Sequence, residues 1–220
     1  MRIHREGFWI IPISLIIIAI LVILGFVATD WLGYLLLVAG IILSGFIIQF
    51  FRNPEIDIPA DPQAILSPCD GKVVVIEEVE EPVYFRDKRI QVSIFMSPLD
   101  VHINRNPVSG NIVFYQYYPG KYLMAFNPKS SSLNEQNFIV VKHNLDLGEL
   151  AYKQIAGFMA RRIKCYVKEG DVLKQGEEFG FIRFGSRVDL LFPLDAEISV
   201  RLGDKVRAGQ SKIGKWSTRK

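Results

Sequence analysis

The sequence predicts a mainly β soluble domain, barrel-sandwich-like with lipoyl-type hairpins, behind an N-terminal hairpin of two transmembrane helices. Three observations carry that expectation. The first fifty residues hold two long uncharged apolar runs. Beyond Asn53 the apolar residues break into short runs rich in Val, Ile, Phe and Tyr, separated by Gly, Pro, Asp and Asn. Within that second part, short patterns of turn glycine and strand recur.

The apolar runs span about 8–27 (FWIIPISLIIIAILVILGFV) and 32–50 (LGYLLLVAGIILSGFIIQF). Each is close to the ~20 residues a helix needs to cross a hydrocarbon core. Only Ala28 to Trp31 separates them, which predicts a tight hairpin. A cleaved signal peptide needs a polar mature start, and a second apolar run stands there instead. Arg2 and Arg5 precede the first run and Arg52 comes after the second, while the connection holds Asp30 and no Lys or Arg. The positive-inside rule then puts both ends, and the domain beyond them, on the cytoplasmic side of the cell membrane. The expected division is an anchor over 1–51 and a β domain over 52–220.

In the second part, strands are expected at Lys72–Val79, Ile90–Met96, Gly110–Tyr118, Asn137–Lys142, Ala151–Phe158, Arg162–Val167, Glu178–Arg183, Arg187–Phe192 and Glu197–Leu202. One short helix is expected near Pro98–Asn104. KEGDVLKQGEEFG (168–180) echoes RLGDKVRAGQSKIG (201–214), and SPCDGKVVVI (67–76) echoes NPVSGNIVFY (106–115). Such echoes suit a folded-over sandwich and by themselves carry no activity.

Composition narrows the function. Cys69 and Cys165 lie far apart without a CxxC spacing, and His4, His102 and His143 form no HxxxH or HExxH pattern. A zinc or other metal site is therefore not expected. Net charge is only +3, with no basic stripe interleaved with aromatics, so nucleic acid is not expected as a partner. A mildly positive domain suits a surface of anionic lipid.

Gly185-Ser186 is by itself an ordinary turn pair. Its setting, EEFGFIRFGSRVDLLFP (177–193), changes that, because it resembles the self-cleavage segment of short phosphatidylserine decarboxylases. FFRNPE (50–55), SPCDGKV (67–73), IFMSPLDVHINRNPVSG (94–110), NEQN (134–137) and QIAGFMARRIKC (154–165) resemble the same family, in family order. The likeness runs from Phe50 to about Gly214.

The resemblance implies a proenzyme. Loss of CO2 from an amino acid leaves electrons on the α-carbon, and a carbonyl must accept them. The family makes that carbonyl from its own chain. Here Ser186 would attack the Gly185 carbonyl, and ester formation and β-elimination would leave a β chain, 1–185, and an α chain, 186–220, headed by a pyruvoyl group. That group, rather than a metal or pyridoxal phosphate, would form the Schiff base with the serine amine of phosphatidylserine. Phosphatidylethanolamine would be the product. The implied partners are the membrane phospholipid and each chain for the other, with a homo-oligomer left open.

Further residues are assigned by match. Asp70, an Asx-turn residue on its own reading, stands where the family has an acid that assists self-cleavage. His102 stands where the family has a histidine that serves decarboxylation. Longer members carry a second histidine three residues on, as cleavage base, and this chain has Arg105 there. Arginine stays protonated and cannot be that base; it suits the substrate's carboxylate or phosphate instead. His102 or His143 is left to substitute as base. Asn134 and Glu135 match the family's Asn-Glu-Arg-Asn stretch and are candidates for substrate binding, with a loop-end role also open. Two other functions stay in view: archaetidylserine decarboxylation, with the same head-group chemistry, and a non-enzymatic membrane-anchored barrel-sandwich adaptor. A lipoyl-type carrier would need a hairpin-tip lysine, for which Lys205 in GDKVRAG is a poor match.

Overall fold

A computed structural model describes residues 2–58, 61–121, 133–157, 163–183 and 185–217. It divides into two compact units, Met1–Glu55 and Ile56–Lys220.

The first unit is helical because its sequence offers no polar face to pattern. β1 (Arg2–Ile3) is followed by α1 (Ile10–Ala28) and α2 (Asp30–Phe50), then β2 (Arg52–Asn53), which pairs antiparallel with β1. A single extended residue, Thr29, separates the helices. Both are long and apolar enough to cross a membrane, with peak mean hydropathy 3.2 and 2.3. Small residues let the two backbones approach. A Cβ on Gly25 would meet Leu36, one on Gly33 would overlap the Phe26 ring, and one on Gly40 would strike Ile18. Most of the remaining Ile, Leu and Val side chains face outward.

The second unit is built almost entirely of strands. In chain order these are β3 (Ala64–Leu66), β4 (Gly71–Glu81), β5 (Asp87–Met96), β6 (Ile103–Arg105), β7 (Gly110–Tyr118), β8 (Gln136–His143) and β9 (Glu149–Ala156). Next come β10 (Ile163–Cys165), β11 (Val172–Leu173), β12 (Glu178–Ile182), β13 (Ser186–Phe192), β14 (Glu197–Ile198), β15 (Lys205–Val206) and β16 (Lys212–Lys215). Eight form one antiparallel sheet in the order β11-β7-β8-β9-β13-β5-β4-β15. Two three-stranded sheets, β10-β12-β6 and β14-β16-β3, complete the unit.

Period-two alternation sorts the side chains. On one face of the large sheet, Val73, Ile94, Ile139, Val141, Leu150, Tyr152, Val188, Leu190 and Phe192 join Phe179, Ile182 and Ile213 in the main core. On the other, Phe138, Val140, Ala151 and Leu191 form a smaller cluster. β13 is central and buried on both faces along its whole length.

The sequence echoes prove to be a structural repeat. Ser67 N donates to Ser211 O and Gly209 N to Ser67 O; Asn106 N donates to Glu177 O and Gly176 N to Asn106 O. Val73 and Asp204–Gly203 exchange bonds as Ile112 and Asp171–Gly170 do. Both repeats turn on a glycine near φ +90°, Gly170 and Gly203. In each, the next residue is an aspartate that accepts from a backbone N–H three residues earlier: Asp171 from Lys168, Asp204 from Arg201. The halves also bond to each other, through Arg105 N to Pro68 O and Leu66 N to Pro107 O.

The helix expected near Pro98–Asn104 does not form. Ser97 to Asp100 is a turn, closed by Asp100 N to Ser97 O and by the Asp100 carboxylate accepting from Ser97 N at 2.7 Å. Ile103–Arg105 then pairs with β12 and buries Ile103 and Asn104 completely. A Ser-Pro start and an aspartate three residues on favour a capped turn, and pairing with β12 draws the residues beyond it into a strand. The expected strand Glu197–Leu202 is only Glu197–Ile198, because Arg201–Asp204 is spent on the second glycine turn. Of the strands expected over 151–158 and 162–167, residues 158 and 162 lie outside the described residues.

His143 ends β8, buried against Trp216, its Nδ1 accepting from Leu145 N. Burial pushes its pKa below the usual 6.5, partly offset by a hydrogen bond to the Pro62 backbone. The unfolded chain therefore takes up this proton more readily than the folded one, and stability is lost as pH falls below about 6.5. Replacing His143 with Asn should flatten the fall in melting temperature between pH 7 and 5 relative to the parent.

Candidate active site

Ser186 begins β13, where the central strand meets the end of the sheet. Its register partners are Met96, the last residue of β5, and Ala156, the last of β9. By alternation its side chain shares the main-core face with Val188, Leu190 and Phe192. The residue is wholly buried, and its hydroxyl has no hydrogen-bond partner among the described residues. An unsatisfied buried hydroxyl is uncommon, and costs about 1–3 kcal/mol.

The preceding residue is Gly185 at φ +73°. A Cβ there would have room, its nearest neighbour being Pro98 Cγ at 4.0 Å, so the backbone angle rather than space selects glycine. Gly185 N points at His102 Nε2, 3.4 Å away. His102 is wholly buried, beside the Phe181 ring, with Nδ1 2.9 Å from Asp100 O. A carbonyl can only accept, so Nδ1 carries the proton and Nε2 presents its lone pair to the Gly185–Ser186 segment. The turn that replaced the expected helix thus sets this imidazole in place.

Asn134 and Glu135 reach the same end of the sheet. Asn134 Nδ2 donates to Ala156 O at 2.7 Å, and Ala156 N donates to Glu135 O at 2.9 Å. Both therefore grip the residue beside Ser186. Glu135 Oε1 accepts from the Tyr117 hydroxyl at 3.1 Å, while Oε2 is buried without a partner among the described residues.

Asp70 and Arg105 are placed at the glycine hairpins. Asp70 Oδ1 accepts from Ala208 N at 2.8 Å. Arg105 Nη1 donates to Gly176 O at 3.0 Å, with its Cδ packed against Gly209. Burial lowers the pKa of the Arg105 guanidinium, against the opposing pull of Glu178 and Asp70. His143 stands at the opposite end of β8 from Gln136, so the only described link between a histidine and the Gly185–Ser186 segment is through His102.

Several buried polar residues were not singled out by sequence reasoning. Gln154 Nε2 donates to Asn104 Oδ1 at 2.8 Å, Asn137 Nδ2 donates to Gln154 Oε1 at 3.0 Å, and the Tyr115 hydroxyl donates to Asn137 Oδ1. Asn104 Nδ2 in turn contacts Met96 Sδ, so this chain of amides runs up to the register partner of Ser186. On the other face, Arg187 and Asp189 form a two-pronged ion pair at 2.8 and 2.9 Å, both essentially unexposed. Lys153 on β9 is the register partner of Asp189 on β13; burial lowers its pKa, opposed by Asp189 and Glu81. The one legible signal for these groups was parity. Asn137 and Gln154 occupy the inward face that Ile139, Val141, Leu150 and Tyr152 line on the same two strands.

The family model described as phosphatidylserine decarboxylase matches residues 43–214. The chain belongs to the phosphatidylserine decarboxylase family. Members of this family are carboxy-lyases. A phosphatidylserine decarboxylase proenzyme of Amoebophilus asiaticus is 49% identical, across 98% of this chain and 96% of that one. The proenzyme of Cytophaga hutchinsonii is 45% identical (98% and 99% covered), and that of Carboxydothermus hydrogenoformans 40% identical (96% and 95%). These decarboxylase proenzymes are of nearly the same length as this chain. Among solved structures, glucose permease IIA from Mycoplasma capricolum is similar to it only loosely, with TM-score 0.37 and 14% identity over 69% of this chain and 93% of that one.

Replacing Gln154 with Leu leaves the Asn104 carbonyl and the Asn137 amide without partners. At about 1–3 kcal/mol for each buried orphan, unfolding free energy should drop by roughly 2–6 kcal/mol. Chemical denaturation in detergent measures it.

Proposed function

We propose that this chain cuts itself between Gly185 and Ser186 and then decarboxylates phosphatidylserine to phosphatidylethanolamine. One observation carries the reading. A buried hydroxyl with no partner among the described residues begins the central strand, directly after a glycine in left-handed conformation whose N–H meets a histidine lone pair.

In self-cleavage, the Ser186 hydroxyl adds to the Gly185 carbonyl carbon. Its proton passes to His102 Nε2, which already points at that segment. The peptide nitrogen leaves with a proton, and an ester joins Gly185 to Ser186 Oγ. Loss of the Ser186 α-proton expels the Gly185 carboxylate, ending the β chain at 185. Addition of water and loss of ammonia leave a pyruvoyl carbonyl at the head of the α chain. The left-handed Gly185 favours the step, since no side chain screens the carbonyl and the turn is held off the extended line.

The surroundings fit such a group. Residue 186 is enclosed, its oxygen is in no hydrogen bond among the described residues, and strands on both sides fix its backbone. When formed, the pyruvoyl carbonyl supplies the electron sink for the carbon that loses CO2. His102 holds the proton that this carbon needs afterwards, and its Nδ1–H bond to Asp100 O keeps the tautomer fixed. Asp70 acts at a distance, by holding the Ala208 turn. Arg105 serves in the same way, tied to the Gly176 carbonyl, and offers its cation to the carboxylate or phosphate of the lipid.

The two apolar helices point to membrane association. The arginines that flank them favour the cytoplasmic face for the catalytic unit, where the lipid head groups lie. The named relatives lend nothing to an archaetidylserine or an adaptor reading.

Purified protein should separate under denaturing conditions into two pieces, the smaller being residues 186–220 with a blocked N-terminus. Its intact mass decides the matter, since an unmodified serine there would contradict the proposal. Replacing Ser186 with Ala should leave one uncut chain that releases no CO2. Replacing His102 with Ala should slow cutting by about 10²–10⁴-fold, the usual worth of a positioned acid–base group, as followed by gel after synthesis.

A further inference from the structure

Glu135 is the buried group for which the cutting reaction has no use. It is 5% exposed, one carboxyl oxygen takes the Tyr117 hydroxyl, and the other has no partner among the described residues. Its backbone is bonded to Ala156, the register partner of Ser186. Parity fixes its face. Asn137, Ile139 and Val141 point into the main core, and Glu135 shares their parity and bonds Tyr117 on the neighbouring strand. Glu135, Ala156, Ser186 and Met96 therefore form one row across the ends of four strands, all on one face. Facing Cβ atoms are about 5 Å apart, so roughly 10 Å separates the carboxyl-bearing residue from Ser186. Within the row, only the methyl of Ala156 stands between them.

Two buried oxygens without partners among the described residues thus share a row, one from a carboxyl and one from the residue proposed to become the carbonyl. A carboxyl oxygen left open in this way calls for a cation or a donor. Among the parts of a phosphoserine head group only the ammonium answers, because the carboxylate and phosphate carry the same sign as Glu135. That ammonium must also lose a proton before its nitrogen can attack a carbonyl.

Resting on the proposed function, we infer that Glu135 Oε2 is the subsite for the substrate's ammonium, binding it between Ala156 and residue 186 and accepting the proton it sheds. The nitrogen gives up one N–H proton, Oε2 gains it, and the neutral amine keeps its electron pair for the carbonyl. Tyr117 holds the second oxygen and so orients the carboxyl. Asn134, bonded to Ala156 O, fixes the small residue between them.

The test uses binding rather than turnover. Cleaved wild-type protein and Glu135→Gln, in neutral detergent micelles, are titrated with phosphatidylethanolamine and with phosphatidylpropanol, which has the same phosphate but no amine. Glutamine keeps the Tyr117 bond and the volume, so the fold is retained. The wild type should prefer the amine lipid, and E135Q should lose about tenfold to a hundredfold of that preference, the range for a charge-assisted bond, with phosphatidylpropanol binding unchanged. Glu135→Asp should recover part of it. Equal binding of the two lipids by wild type would overturn the inference without any variant. So would an unchanged preference in E135Q, an equal loss for both lipids, or failure of E135Q to cut itself. The mass of the α chain, taken on the same samples, separates these results from failure of the proposed function. An intact serine in the wild type condemns the latter, whereas a modified residue with no amine preference condemns only the role of Glu135.

Discussion

The structure depends on the double pairing of β13. This strand is hydrogen-bonded to β9 on one side and β5 on the other, and buried on both faces. A backbone held that firmly cannot relax at its first residue. Ser186 is therefore fixed in place while Gly185, one peptide earlier, takes the left-handed angle that suits glycine. Rigid strand and bent turn meet at the bond between them. The polar groups nearby make sense as supports for that junction: the Asp100 turn for His102, the Asn104–Gln154–Asn137 amides beneath Met96, and the Arg187–Asp189 pair on the reverse face.

The repeat explains how the remaining site candidates are distributed. Each half contributes a Pro-turn-Gly strand and a glycine hairpin, closed on each other at Ser67 or Asn106, and the halves exchange bonds through Arg105 N to Pro68 O and Leu66 N to Pro107 O. Asp70 and Arg105 both lie next to these crossings. They are parts of the seam that joins the repeats, and whatever they do for a reaction they do while holding that seam. A buried ion pair such as Arg187–Asp189 adds little net stability over apolar packing, but removing Asp189 would take this carboxylate from the Arg187 cation, one residue from Ser186.

Most of the strands were legible, because alternation and turn residues are local signals. So were the two apolar helices and the repeat. The helix expected after Met96 failed because Asp100 caps a turn and β12 recruits Ile103. That pairing joins residues far apart in sequence, which no local pattern reveals. Ser186 was legible only through resemblance, since a Gly-Ser pair carries no signal of its own. Parity marks Gln154 as an inward polar residue but does not reveal its partner. Asn104 meets it because two strands fifty residues apart bring their amides together. The open oxygen of Glu135 is likewise a fact of packing, since composition reads it as one more surface acid.

The last segment of the chain is threaded through the second unit. β13 lies mid-sheet between two strands of the earlier segment, β15 adds to β4, and β16 pairs with β3. A scission ahead of residue 186 would leave this tail woven into its host, so the two pieces would behave as one particle. Unfolding would be another matter. Reassembly would need two separate molecules to meet and a peptide to find the middle of a closed ladder, with entropy and concentration both against it. Such a protein is made once: its lifetime is set by how slowly it comes apart, and no pathway leads back.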